Sequence, residues 1–286
     1  MDLDVARASL SAAGLPALAA QLDTLAQPCI RLTSQRMDES ALTVGASKLG
    51  GQPDLLPGTA WPEKQDIPLS FVAQIRLEQV HAFDAQQALP AAGMLTFFYD
   101  AQQSAYGAEP TDHNGWAVYF TQGNLAALQR TAFPSALPAA ARFSPCALAI
   151  ASDLTLPEQP QLELPALPWD QAAQQHYDAA LTQLASATDR AAPKNQLLGY
   201  PTTLQDDMRL QCQLAANGVR IEDAASDART PALSSGALNW RLLLQVDSDP
   251  DAGMRWADAG MLYYWIERDA LQRANFENVW VVLQSD

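Results

Sequence analysis

Two stretches of the chain repeat one order of apolar and polar positions. Phe71-Val72-Ala73-Gln74-Ile75 sets a single glutamine inside an apolar run, and Leu242-Leu243-Leu244-Gln245-Val246 does the same. A loop follows each, then Ala92-Gly93-Met94-Leu95 with Phe97-Phe98-Tyr99 in the first case, and Ala259-Gly260-Met261-Leu262 with Tyr263-Tyr264-Trp265-Ile266 in the second. Short apolar runs bounded by turn residues predict strands. The glutamines stand 171 positions apart and the glycines 167, far beyond the period of a solenoid or propeller. The pattern therefore predicts an internally duplicated strand-loop-strand unit within one globular fold.

The flanking segments predict the rest. Leu15, Leu18, Leu22 and Leu25 recur at helical spacing, with Pro16 suited to a first turn and Pro28 ending the pattern. A shorter helix is predicted over Asp4 to Ala13, stopping at Gly14. Ile30 and Leu32, then Leu42 and Val44, predict strands around a polar turn at Asp38-Glu39-Ser40. Residues 47–62 are dense in glycine and proline and predict tight corners. Pro134 to Pro168 predicts an extended connection. Pro168-Trp169-Asp170 opens a helix with Trp169, Ala173, Tyr177, Leu181 and Leu184 on one face. Tyr200-Pro201-Thr202 opens another, with Leu204, Met208, Cys212 and Ala215 on one face and Asp206 and Asp207 in its first turn. Trp280 to Leu283 predicts a last strand.

The expected architecture is α+β: mainly antiparallel sheet with peripheral helices, and an N-terminal helical segment over residues 1–28 packed on a single domain over 29–286. Within that domain, two pseudo-repeats at about 45–133 and 197–284 are joined by the proline-rich connection and a helix.

Charge narrows the function. Lysine plus arginine number 17 against 32 aspartates and glutamates, a net charge of -15, which argues against binding a phosphate backbone and favours a basic partner. No apolar run is long enough for a membrane span, and the acidic start Met1-Asp2-Leu3-Asp4 lacks the positive charge of a secretory leader; a cytoplasmic protein is expected. Cys29, Cys146 and Cys212 are too few and too scattered for a disulfide framework or a CxxC metal pair, and read as small buried residues.

Candidate chemistry is sparse. His81, His113 and His176 stand apart from any HExxH or G-x-S-x-G pattern. Lys48 precedes Gly50-Gly51, the reverse of a phosphate loop. Asp247, Asp249, Asp251 and Asp258 resemble the start of a calcium loop, but Ala252 occupies the place of the required glycine, so an acidic turn is expected. A glutamine within an apolar strand must find partners if buried; Gln74 and Gln245 are expected to bond backbone groups. No cofactor, metal or catalytic residue is expected.

Seven ordered blocks carry a family resemblance: Ser47-Lys48-x-Gly50-Gly51-x-Pro53, Pro57-x-x-x-Trp61-Pro62, Pro68-Leu69-x-Phe71-x-x-Gln74-Ile75, Gly93-x-Leu95-x-Phe97-Phe98, Gly199-Tyr200-Pro201, Leu243-Leu244-Gln245-x-Asp247-Ser248 and Trp256-x-Asp258-x-Gly260-x-Leu262-Tyr263. Together they resemble the YwqG-like family, of unknown biochemical role. The resemblance implies an α+β fold and a setting beside secreted bacterial toxins, similar to that of immunity proteins. Combined with the charge, it leads to a non-enzymatic immunity protein, an antitoxin that blocks the active site of a basic toxin domain, plausibly a nuclease such as a DNase. Asp206, Asp207, Glu222, Asp223 and Asp227 are the expected contact residues. The alternative is a small-ligand receptor or enzyme in which Lys48, Gln74, Gln245, Asp247 and Asp258 converge.

Overall fold

A computed structural model describes residues 1–185 and 192–285. Its strands are β1 (Gln27–Arg36), β2 (Lys48–Leu49), β3 (Asp54–Leu55), β4 (Glu63–Lys64), β5 (Ile67–Pro68), β6 (Ser70–Arg76), β7 (Met94–Tyr99), β8 (Trp116–Thr121), β9 (Gln129–Arg130), β10 (Cys146–Thr155), β11 (Gln196–Leu197), β12 (Trp240–Asp247), β13 (Met261–Glu267) and β14 (Trp280–Gln284). Ten of them form one sheet in the order β14-β13-β12-β11-β1-β10-β2-β6-β7-β8, and every pairing in it is antiparallel. β3 with β9 and β4 with β5 make two small ribbons. With helices at the periphery, the fold is α+β as expected.

The strand order reads the same from either end, and the hydrogen bonds show why. Lys48 pairs with Gln74 across β2 and β6, and Gln196 pairs with Gln245 across β11 and β12. Gln74 Nε2 donates to the Ala46 carbonyl (2.7 Å) while its Oε1 accepts from the Asp54 amide (2.8 Å). Gln245 Nε2 donates to the Lys194 carbonyl (2.6 Å) while its Oε1 accepts from the Thr202 amide (2.9 Å). Both β6 and β12 shift register at the same place, between Phe71 and Ala73 and between Leu242 and Leu244. A bulge aimed identically in two copies is a built feature of the unit.

One position separates the copies. Gly50 and Leu198 both accept a left-handed backbone, at φ 58° and 60°, and each donates its amide across to the neighbouring strand, to Val72 and Leu243. A Cβ on Gly50 would stand 2.3 Å from the Ser144 carbonyl, so the first copy requires glycine. The second keeps a leucine there, against a steric cost of about 1–2 kcal/mol for an L-residue in that region.

The repeats are longer than the apolar pattern indicates. The proline-rich stretch is not simply an extended connection, because it contains β10, which lies beside β1 at the middle of the sheet over ten paired positions. β1 borders β11 of the second copy, and β10 borders β2 of the first. Each copy thus begins with a ten-residue strand that is lent to the other half, interlocking the two. Prolines end this segment on both sides without entering the ladder: Pro145 precedes the strand and Pro157 follows it.

The sheet curls so that its halves face each other. Phe97 and Tyr264 meet edge-on with ring centroids 5.1 Å apart. The two edge strands approach through Trp116 and Trp280, 5.0 Å apart; Trp116 Nε1 donates to the Val279 carbonyl and Trp280 Nε1 to that of Gly107, each at 2.9 Å. A Cβ on Gly107 would reach within 2.0 Å of the Val281 carbonyl, so glycine is needed for this closure. Covering the edges in this way blunts their tendency to pair with other chains.

Three local expectations are corrected. Residues 38–44 form a 3-10 turn over Glu39–Ala41 instead of returning as a strand, because the Glu39 carboxylate is drawn to Lys48, Arg130 and the Gln52 amide. The leucines of residues 15–25 fall in two short helices, Pro16–Ala19 and Leu22–Leu25, not one. The helix expected from Tyr200 begins only at Arg209, since the amides of Thr202, Leu204 and Gln205 are taken by the side chains of Gln245 and Gln284. The N-terminal helices do pack as a unit: Leu10, Leu18 and Leu22 form a second apolar cluster with Tyr177 and Ala180 of the helix Gln171–Leu184. No helix among the described residues is long and apolar enough to cross a membrane.

Candidate functional site

The polar residues inside the sheet are a framework. Lys48 is fully buried, with its ammonium on Glu39 (2.8 Å) and on the Gln52 carbonyl. Arg130 bridges Glu39 (2.6 Å) and Asp54 (2.6 Å), and Asp54 also accepts from Gln74 (2.7 Å) and the Gly45 amide (2.8 Å). Burial lowers the Lys48 pKa, against the upward pull of Glu39 and Asp54. Every charge here has a partner, as a buried ionic group requires. In the second copy Gln196 takes the place of Lys48 and donates to the Leu198 and Tyr200 carbonyls, both at 2.9 Å, while its Oε1 accepts from Arg31 (2.7 Å), so a neutral side chain closes the same corner and the charge comes from β1.

The convergent pocket of Lys48, Gln74, Gln245, Asp247 and Asp258 does not form. Lys48 and Gln74 belong to one half, Gln245 and Asp247 to the other, and each is engaged locally. Asp247 accepts from the Lys194 amide (2.8 Å), and burial raises its pKa. Asp258 is 82% exposed and pairs with Arg255. The calcium-like run is likewise a structural turn: Asp249 is buried and accepts from Ser34 (2.6 Å), Asn195 (2.9 Å) and the Asp251 amide (3.0 Å). Among the described residues no group of three or more His, Cys, Asp or Glu side chains is placed to hold a metal. The cysteines are buried and free, and burial pushes the Cys29 and Cys146 thiols up to about 11 and about 12, far from a reactive thiolate.

The five acids expected to meet a partner fall in two groups, Asp206 and Asp207 before the helix Arg209–Ala216 and Glu222, Asp223 and Asp227 after it, and arginines neutralise most of them. Arg209 binds Asp207 and Glu163, Arg220 binds Glu222 with Asp223 3.8 Å away, and Arg229 binds Asp227. Asp206 is exposed and without such a partner.

A neighbouring groove has the unbalanced charge that this segment lacks. It runs between the helix Gln171–Leu184 and residues 203–205, with a volume of about 860 Å³, and its described lining includes Glu158, Asp170 and Asp178 but no arginine or lysine. Asp170 caps the helix, accepting from the Ala173 amide at 2.8 Å. Asp178 accepts from Gln174 at 2.8 Å. Glu158 is held by the Thr203 hydroxyl and amide, yet desolvation outweighs those bonds and raises its pKa, with Asp178 and Asp207 adding to the rise. Trp169 stacks edge-on against Tyr177 at 5.6 Å and forms part of the wall. The groove therefore offers half-desolvated negative charge beside an aromatic ring. Sequence reasoning missed it because Glu158, Asp170 and Asp178 are single acids scattered over 21 positions; only the helix docking on residues 157–159 gathers them.

Glu158 also forms one wall of a narrower slot, about 40 Å³, which shares Thr203 and continues past Tyr200 and Arg209 to Trp240 and Trp265. Trp265 is 2% exposed and its Nε1 has no hydrogen-bond partner.

Comparison with known proteins adds two findings. Residues 47–285 match the model of a family described as a domain of unknown function, DUF1963. No curated protein matches the chain.

Proposed function

The chain belongs to the DUF1963 family, and from that premise we propose that it is a non-enzymatic binding protein whose partner is a basic protein. The narrower reading is an immunity protein of YwqG-like type, which binds and neutralises a bacterial toxin domain, a nuclease, by covering its active site. One observation carries this reading: a groove lined by Glu158, Asp170 and Asp178, with no basic residue among the described lining, on a chain of net charge -15. An enzyme that holds phosphates must present positive charge, and a carboxylate-lined groove complements it and speeds the encounter. Trp169 supplies the aromatic anchor that interfaces favour. Asp206 follows Gln205 of the groove lining in the chain, whereas Asp207, Glu222, Asp223 and Asp227 serve chiefly to hold their arginines.

The test is binding and protection with the product of the neighbouring gene. Stoichiometric binding that abolishes its toxicity, with an association rate that falls as salt rises, is the expected result. Asp178→Lys, on the exposed side of the helix, is expected to slow association several-fold without unfolding the protein. Absence of binding and protection, or association indifferent to both salt and Asp178→Lys, overturns the reading.

A further inference from the structure

A second groove, on another side of the β11–β12 corner, has the opposite chemistry. It encloses about 690 Å³ between residues 86–90, β12 and the segment after β13, within the roughly 300–1,000 Å³ usual for small-ligand sites. Its described lining contains Arg241 and Arg268 and no aspartate or glutamate, although acids outnumber bases nearly two to one along the chain. Most of the described arginines are bound to carboxylates; Arg241 and Arg268, like Arg36, Arg142 and Arg273, have none within ion-pair distance, and this holds even for Glu267 and Asp269, which flank Arg268. Arg241 donates only to the Leu238 and Trp240 carbonyls, leaving guanidinium donors unused. The floor is apolar, formed by Leu89, Leu198, Leu242 and Leu271.

Strained backbone borders the same space. Gln87, Leu198 and Ala274 all line it, at φ 49°, 60° and 52°. Such strain persists where the surroundings hold it in place, and it clusters at ligand sites. Leu198 is the telling case, since the first copy has Gly50 at this point. The second copy retains a side chain that the backbone disfavours, and that side chain is part of the groove floor.

We propose that this groove binds a small amphipathic anion, with its carboxylate or phosphate head on Arg241 and Arg268 and an aliphatic body along Leu198, Leu242 and Leu271. A guanidinium pair favours a planar or tetrahedral oxyanion through charge-assisted hydrogen bonds. The leucines favour a chain of several methylenes. The preference runs against the protein's net charge, so nonspecific attraction does not produce it.

Octanoate is the probe, titrated into the full chain by calorimetry beside octan-1-ol, octylammonium and inorganic phosphate. Octanoate is expected to bind one site with a Kd on the order of 0.1–1 mM, and the other three to bind at least about tenfold more weakly. Arg268 is exposed, so Arg268→Glu is expected to leave the fold intact by circular dichroism and to weaken octanoate at least about tenfold; Arg241→Gln gives a second, milder loss. Equal binding of octan-1-ol or octylammonium, phosphate binding as tightly as octanoate, a glutamate-rich peptide binding where octanoate does not, or no effect of Arg268→Glu overturns the proposal. None of these outcomes bears on whether a basic protein docks in the Glu158 groove.

Discussion

Phe97 and Tyr264 occupy equivalent places in the two copies, each the fourth residue of its Met-Leu-led strand, and they touch each other across the fold at 5.1 Å and 74°. Tyr264 also donates its hydroxyl to the Phe98 carbonyl at 3.3 Å. This contact joins the halves at a point where both rings are fully buried. Phe97→Ala and Tyr264→Ala are each expected to cost about 3–5 kcal/mol. The double variant is expected to cost less than the sum by about 0.5–3 kcal/mol. Urea unfolding of the four proteins measures the cycle; strict additivity would mean that the halves are held together elsewhere.

Lys48→Gln is the substitution that the second copy has already made. A glutamine at 48 can donate to the Gln52 carbonyl as Gln196 does to that of Tyr200, and Glu39 keeps Arg130. A loss of no more than about 1 kcal/mol is expected, against at least about 2 kcal/mol for Lys48→Ala, which leaves the carbonyl unpaired. pH separates the two further. Burial lowers the Lys48 pKa below 10.5, so the unfolded state holds the proton more tightly. The stability of the wild type relative to Lys48→Gln is therefore expected to rise with pH from the lowered pKa towards 10.5.

Glu158 gives the opposite dependence. Its folded pKa is raised above 4.5, chiefly by desolvation, so its contribution is most favourable below 4.5 and is lost as pH rises through the folded value. Glu158→Gln keeps an acceptor for Thr203 without the charge. Its melting temperature is expected to exceed that of the wild type at pH 7 and to converge with it below pH 4.5. A difference that stays constant across that range would remove ionisation of Glu158 as the cause.

Trp265→Phe removes a donor that has nothing to bond. The Nε1 is buried and unpartnered, a desolvation penalty of about 1–3 kcal/mol. The smaller ring gives up part of the indole's burial, and the two effects offset each other. Net stability is expected to change by less than about 1 kcal/mol, in contrast to Trp240→Phe, whose Nε1 donates to Gln213 at 2.8 Å. Chemical denaturation distinguishes them; an equal, large loss at both positions would mean that the Trp265 donor is satisfied in solution.

The elements legible in the sequence were those with a strong local pattern. The strands around Gln74 and Gln245 are legible because a lone glutamine in an apolar run has an economical solution, bonds to backbone groups of the chain on either side of the short neighbouring strand. β10 was obscured by the prolines on either side of it, and by a burial pattern without clean alternation in Ala147 to Ser152. The helix start at Arg209 is not legible because side chains 43 and 80 positions away, Gln245 and Gln284, capture the preceding amides. The acids 206–227 looked like a charged surface because their arginine partners sit two positions away along the chain, where spacing alone reveals no ion pair.

By itself the sequence determined the duplication, the α+β class and the negative charge, because these follow from residue order and residue counts. It also required the glutamines to find partners, since a buried amide must be satisfied wherever it lies, and left backbone bonding and a shared pocket as the two ways of doing so. Tertiary structure alone decided that each copy lends its first strand to the other, that Lys48 and Gln196 close the same corner, and that Glu158, Asp170 and Asp178 share one groove while Arg241 and Arg268 share another. Those relations depend on which distant segments meet, and the free energy that selects the meeting is spread over the whole buried core instead of being written in any one stretch.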